Sequence, residues 1–154
     1  MKRGLLTFLL KAFGYDFVVD VIRQRVVDCD NYKLYQWPDG GIAIYTPAGR
    51  RLIRQRFDEV IPIIPIGIIL VRRRFLWGAI NLQGASVLKV EWASIGTQNG
   101  YLIAQESSRR GYVGVYDTLG ETVVEPNAYC NIEITIDNSI ICTTDYGRKL
   151  RFQR

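Results

Sequence analysis

Histidine is absent from the sequence. That absence removes the commonest general base, the Ser–His and Cys–His pairs, and most metal sites. Cysteine is scarce. Cys29, Cys130 and Cys142 are an odd number without Cys-x-x-Cys spacing, which argues against both a disulfide framework and zinc. They read as reduced, buried small hydrophobes, so a cytoplasmic or otherwise reducing setting is expected. Helical periodicity of useful length is missing after residue 30. The fifteen acids lie singly, and Asp58-Glu59 reads as a turn, so no carboxylate pair suggests itself. These gaps predict a protein that is not an enzyme, with no cofactor, no metal and no small-molecule substrate.

What is present is a repeat. The turn glycines Gly14, Gly49, Gly84 and Gly120 are spaced by 35, 35 and 36 residues. Three and four residues after each comes an apolar pair: Phe17-Val18, Leu52-Ile53, Val87-Leu88 and Val123-Val124. Gly78 and Gly114 stand six residues before the later two, where the earlier units have Ala43 and Phe8. An aromatic follows at Phe57, Trp92 and Tyr129, each with an aliphatic three residues on, at Val60, Ile95 and Ile132. Short segments rich in Val, Ile and Tyr, bounded by Gly, Asn and Asp, read as strands. Each unit is then about three antiparallel strands. Three short strands cannot bury a face alone, so neighbouring units must stack. The fold expected is all-β, with units roughly 5–36, 37–74, 75–110 and 111–144 in one domain of 154 residues and a capping strand at 145–153. An open array or solenoid and a closed propeller-like or barrel-like ring both satisfy the pattern.

Trp77-Gly78-Ala79-Ile80-Asn81 with Gly84, and Val113-Gly114-Val115-Tyr116-Asp117 with Gly120 and Val123-Val124-Glu125-Pro126, resemble the WG-repeat family. Its "aromatic, small or acidic, aliphatic" segment is matched by Tyr129-Cys130-Asn131-Ile132 after Pro126, and by Phe57-Asp58-Glu59-Val60. The resemblance implies all-β units of bacterial proteins serving as binding or structural modules, and implies no activity.

The other segments bear on partners. Residues 1–13 suit either the first strand or a buried helix, against an amphipathic surface helix presenting Leu5, Leu6, Leu9 and Phe13; the block is too short to span a bilayer. Tyr15 to Val27 reads as strand. Ile61 to Val71 holds eleven residues with no polar side chain, and its two prolines fit an edge or connector rather than a central strand. Half of it must be core; the remainder, with Ile63, Ile64 and Ile66 as anchors, suits a protein contact. Arginine outnumbers lysine fifteen to five, and net charge is +5. Arg72, Arg73, Arg109 and Arg110 fall before equivalent strands, so stacked turns would line them into a basic ridge. The bland alternative is a solvated face. The sequence therefore predicts a non-catalytic structural or protein-interaction module within a larger assembly. A second reading is a peripheral binder of an anionic partner, nucleic acid or membrane surface, through the arginine ridge. Glycan binding by Trp37, Trp77 and Trp92 ranks below both.

Overall fold

The computed structural model describes residues 25–29, 31–37 and 41–153. Apart from one 3-10 turn at Ile64–Ile66, the regular structure among them is antiparallel β. Residues 1–13, Gly14 and the Phe17-Val18 pair lie outside the described residues. Of the strand expected over Tyr15 to Val27, only its end is described, within β1, Arg25–Cys29. A three-stranded sheet joins β1 to β2 (Tyr32–Gln36) and β3 (Ile42–Tyr45). A seven-stranded meander runs from β4 (Glu59–Ile63) through β5 (Ile68–Arg73), β6 (Leu76–Asn81), β7 (Ser86–Gln98), β8 (Tyr101–Glu106) and β9 (Val113–Tyr116) to β10 (Thr122–Val124). A second three-stranded sheet holds β11 (Tyr129–Ile134), β12 (Ile140–Thr144) and β13 (Lys149–Phe152).

β3, β6 and β9 fall one period apart and end in the same turn. The Gly49, Gly84 and Gly120 N–H groups donate to the Thr46, Asn81 and Asp117 carbonyls at 2.9, 3.0 and 3.1 Å. The first turn residue also accepts through its side chain: Asn81 Oδ1 from the Ala85 N–H and Asp117 Oδ1 from the Glu121 N–H, each at 2.9 Å, and Thr46 Oγ1 from the Arg50 N–H at 3.3 Å. This is why Asn or Asp recurs three residues before the glycine.

The long strand β7 joins the two halves of the meander. Its first part pairs with β6 through Trp77↔Trp92, and its second part with β8 through Gln98↔Tyr101. The register shifts on both sides of Trp92. Tyr116 lies abreast of Leu102, and Leu102 of Thr97. On a straight strand Thr97 and Val87, ten residues apart, would be separated by about 33 Å. Yet the turn after Tyr116 touches Val87, where a Cβ on Gly120 would come 2.5 Å from the carbonyl oxygen. The meander is therefore folded over at Trp92, bringing its halves face to face. In the following period Pro126, which has no N–H to donate, separates β10 from β11 and the same long strand is interrupted.

Three hydrophobic clusters separate the resulting layers. Ile44 and Phe57 pack on Val60, Ile69, Val71 and Ile80. Ile68, Leu70, Ala79 and Leu88 pack on Trp92, Leu102, Ala104 and Tyr116. Val113 and Val115 pack on Ile132, Ile134, Ile140 and Cys142. Alternate residues of β5 thus face two different clusters, which explains why Ile68 to Val71 are all buried and carry no polar side chain. The opposite face of the last sheet is polar, with Asn131, Glu133, Lys149 and Arg151 exposed.

Two local expectations need correction. Glu59 opens β4 and pairs with Arg72 rather than sitting in a turn, because Phe57 and Val60 both turn inward and draw the segment into the sheet. Cys130 is exposed because the register of β11 against β12 shifts between Tyr129 and Asn131, which makes Cys130 the extra residue of a bulge and takes it out of line with the inward Ile132 and Ile134; Cys142 is buried as expected. The two prolines fall as expected, Pro62 on β4, the last strand of the meander, and Pro65 in the 3-10 connector, while the proline-free second half of the run, β5, is central.

Candidate functional site

The isoleucines are only partly available. Ile63 ends β4, and Ile64 to Ile66 form the 3-10 turn, closed by Gly67 at φ +71°. Ile63 and Ile66 lean on the Ile68–Tyr116 cluster, and Ile64 is half-buried. Ile61, with its side chain on the β4 edge, is the more exposed.

The arginines divide by what they touch. Arg72 lies in a row that crosses the meander, where cross-strand register aligns Glu59, Arg72, Trp77, Trp92 and Glu106. Its Nε donates to Glu59 Oε2 at 3.0 Å, its Nη1 donates to the Arg74 carbonyl at 2.9 Å, and its guanidinium stands 5.7 Å from the Trp77 ring. It pins the β5–β6 hairpin. Asp58 accepts the Arg74 N–H in the same hairpin. Arg51 donates to the Ile53 and Arg54 carbonyls, and Arg56 covers the Trp37 ring at 3.7 Å. Arg110 donates to the Tyr112 hydroxyl at 3.1 Å, which, ahead of the attraction of Asp145, raises its pKa. Arg73 and Arg109 are exposed. Among the described residues no hydrogen bond or ring contact joins Arg72 or Arg73 to Arg109 or Arg110. Glu91 and Glu106 line a cavity of about 290 Å³ with Trp92, Ser107 and Ser108.

Spacing did not reveal four bare apolar side chains at turn tips: Phe75 at 86%, Leu119 at 81%, Ile136 at 99% and Tyr146 at 98% exposure. The signal was available, because each is a large apolar residue set among turn formers, as in Thr118-Leu119-Gly120 and Asp145-Tyr146-Gly147. A cavity of about 450 Å³ opens where β10 approaches the last sheet, between Val123, Val124 and Glu125 on one side and Tyr129, Ile140 and Phe152 on the other.

The groups with displaced pKa values serve structure. Burial, then the Glu125, Glu106 and Glu91 carboxylates, pushes the Tyr116 hydroxyl up to about 12, and burial pushes the Cys142 thiol up to about 11. Asp137 falls to about 2, first through the Thr135 hydroxyl, then through Ser139 and Arg151. Among the described residues no group of three or more His, Cys, Asp or Glu side chains could hold a metal ion, and no helix is long and apolar enough to cross a membrane.

No protein-family profile matches the chain, and no curated protein matches it. Among solved structures it is similar to the computationally designed Ika8 protein, at 11% identity and TM-score 0.41, over 84% of this chain and 45% of that one. BamB from Moraxella catarrhalis is similar at 15% identity and TM-score 0.39, over 85% and 43%. HIRA (644–1017) is similar at 10% identity and TM-score 0.43, over 84% and 49%. The chain thus spans less than half the length of these three.

Proposed function

We propose that this protein is a non-catalytic scaffold: an open stack of WG-type units, acting as a protein-binding component of a larger assembly. The observation that carries the reading is the recurrence of one contact a period apart. Gly84 abuts the Leu52 carbonyl as Gly120 abuts that of Val87, and Leu52 and Val87 each stand three residues after the preceding turn glycine. Such units bury their apolar faces on one another, which leaves turn tips and edges as surfaces for partners. The polar outer face of the last sheet favours an open stack over a ring, since ring closure would bury Glu133 and Lys149. The four bare apolar tips favour protein partners over an anionic one, as does the employment of Arg51, Arg56, Arg72 and Arg110 within the fold.

Native purification of the full chain from its source, followed by mass measurement of the complex, tests this. A partner at fixed stoichiometry is expected, retained at high salt and released when Phe75, Leu119, Ile136 and Tyr146 are changed to Ser. Recovery of the chain alone, or a partner lost simply by raising salt, would overturn the reading.

A further inference from the structure

Three junctions among the described residues carry the chain from the last strand of one unit to the first strand of the next, and they differ. At the first, the chain leaves its bridge to Ile42 at Phe57 and enters β4 at Glu59, with Asp58 between. At the third, residues 125–128 separate β10 from β11. The middle junction has no connecting residue, because Trp92 pairs both with Trp77 of the unit before and with Glu106 of the unit after. A Cβ on Gly78 would meet the Leu88 carbonyl oxygen and Val90, and one on Gly114 the Val124 carbonyl oxygen and Pro126. Val90 thus stands where Pro126 stands a period later. From Ser86 to Ile95 the chain holds no glycine or proline, and Val87, Val90 and Ile95 are β-branched. Such a stretch favours a continuous extended backbone. Here it is folded over instead, with its register displaced on both sides and the Trp92 indole N–H left without a partner.

We infer that β7 is the hinge of an exchange between two copies of this chain: straightened at Trp92, it lets the units after Trp92 in each copy pack on the units before Trp92 in the other. The surfaces that straightening uncovers are those of one cluster, with Ile68, Leu70, Ala79 and Leu88 before Trp92 and Leu102, Ala104 and Tyr116 after it. A lone straightened chain leaves both halves bare, whereas two such chains cover all of them through the contacts already seen, in a symmetric pair. The approach of Gly120 to Val87 then forms between copies rather than within one. Because the packed surfaces are the same in both forms, the difference lies at the hinge. Relief of the bend is set against the entropy of joining two chains, so the balance depends on concentration. Short, strained hinges invite such exchange, and lengthening them removes the reason for it. The second copy is the partner that fits, since this sequence supplies the complementary half. The inference is independent of the interaction-module reading.

The test is refolding of the full-length protein from urea over a range of protein concentrations, followed by gel filtration with light scattering. Reducing buffer excludes a link through the exposed Cys130 thiol. A dimer is expected whose share grows with the protein concentration during refolding. When isotope-labelled and unlabelled chains are refolded together, filtered NMR should show the Val87–Gly120 contact between chains in the dimer and within chains in the monomer. Inserting Gly-Ser-Gly between Trp92 and Ala93 should shift the balance toward the monomer by about tenfold or more. Val90→Pro, which copies the next junction, should shift it the same way. The insertion leaves every paired residue in place, so a folding failure of Val90→Pro does not remove the test. A monomer at every concentration, a dimer whose Val87–Gly120 contact stays within chains, or a dimer undiminished by the insertion overturns the inference. Each of those results leaves the interaction-module reading standing if the native partner is still recovered.

Discussion

Gly120 lies against Val87 so closely that a Cβ would meet the Val87 carbonyl oxygen at 2.5 Å, and Gly84 holds the same relation to Leu52 at 2.7 Å. Both glycines have positive φ, +88° and +87°, so the backbone conformation and the close approach each call for glycine. Gly100 shares the positive φ, at +78°, but has nothing within 4 Å of the Cβ position. Gly100→Ala should cost about 1–2 kcal/mol, the left-handed penalty alone. Gly84→Ala and Gly120→Ala should each cost more than about 3 kcal/mol, because the layers must also separate. Urea unfolding midpoints check this. Equal losses at Gly100 and Gly120 would show that the stacking contact is not what requires the glycine.

Trp92 stands at the fold in β7, with its ring 5.4 Å from Tyr116 at 60° and its indole N–H buried without a hydrogen-bond partner. Trp92→Ala should destabilise by about 3–5 kcal/mol through the cavity it opens. Trp92→Phe keeps much of the ring contact and removes the unsatisfied donor, so it should cost less than half as much. Thermal and chemical unfolding of the two variants give the comparison.

Asp137 accepts from the Thr135 and Ser139 hydroxyls and from Arg151, with its pKa lowered to about 2 from an ordinary 3.8. A depressed carboxylate contributes stability that is fully present above its unfolded value and lost as pH falls through its folded one. Asp137→Asn should therefore be less stable than the parent above about pH 4, and the gap should close between about pH 4 and pH 2. Unfolding measured across that range decides it; a gap that stays constant would mean that the charge is not involved.

Arg72 and Glu59 are 30% and 44% exposed, which limits their ion pair. A double-mutant cycle with Arg72→Gln and Glu59→Gln should give a coupling of about 0.5–1 kcal/mol. Coupling near zero would assign the role of Arg72 to Trp77 and the Arg74 carbonyl instead.

Phe75, Leu119, Ile136 and Tyr146 touch little of the fold. Changing each to Ser should alter stability by less than about 0.5 kcal/mol. A larger loss in any of them, read from the melting curve, would mark it as a packing residue and weaken its claim on a partner.

The turns were legible because their chemistry is local. A glycine with positive φ, and an Asn or Asp accepting from the backbone three or four residues on, leave marks at Asn81 and Asp117 that need no tertiary contact to read. The apolar pairs were legible for a similar reason, since each period must bury the same positions. Arg72 was not. Its partners Glu59 and Trp77 are set by cross-strand register, and the same arginine in another register would be solvent-facing. Cys130 has the same parity as the buried Ile132 and Ile134, and only the bulge between Tyr129 and Asn131, set by pairing with β12, turns it outward.

The sequence by itself determined that strands and tight turns recur about every 35 residues, because turn geometry and strand propensity act between neighbours along the chain. Only the tertiary structure decided that β7 folds over at Trp92, that Arg72 pairs with Glu59, and that Cys130 falls in a bulge. Those facts depend on which strands pair and where a sheet bends, and contacts between residues far apart in the chain settle both.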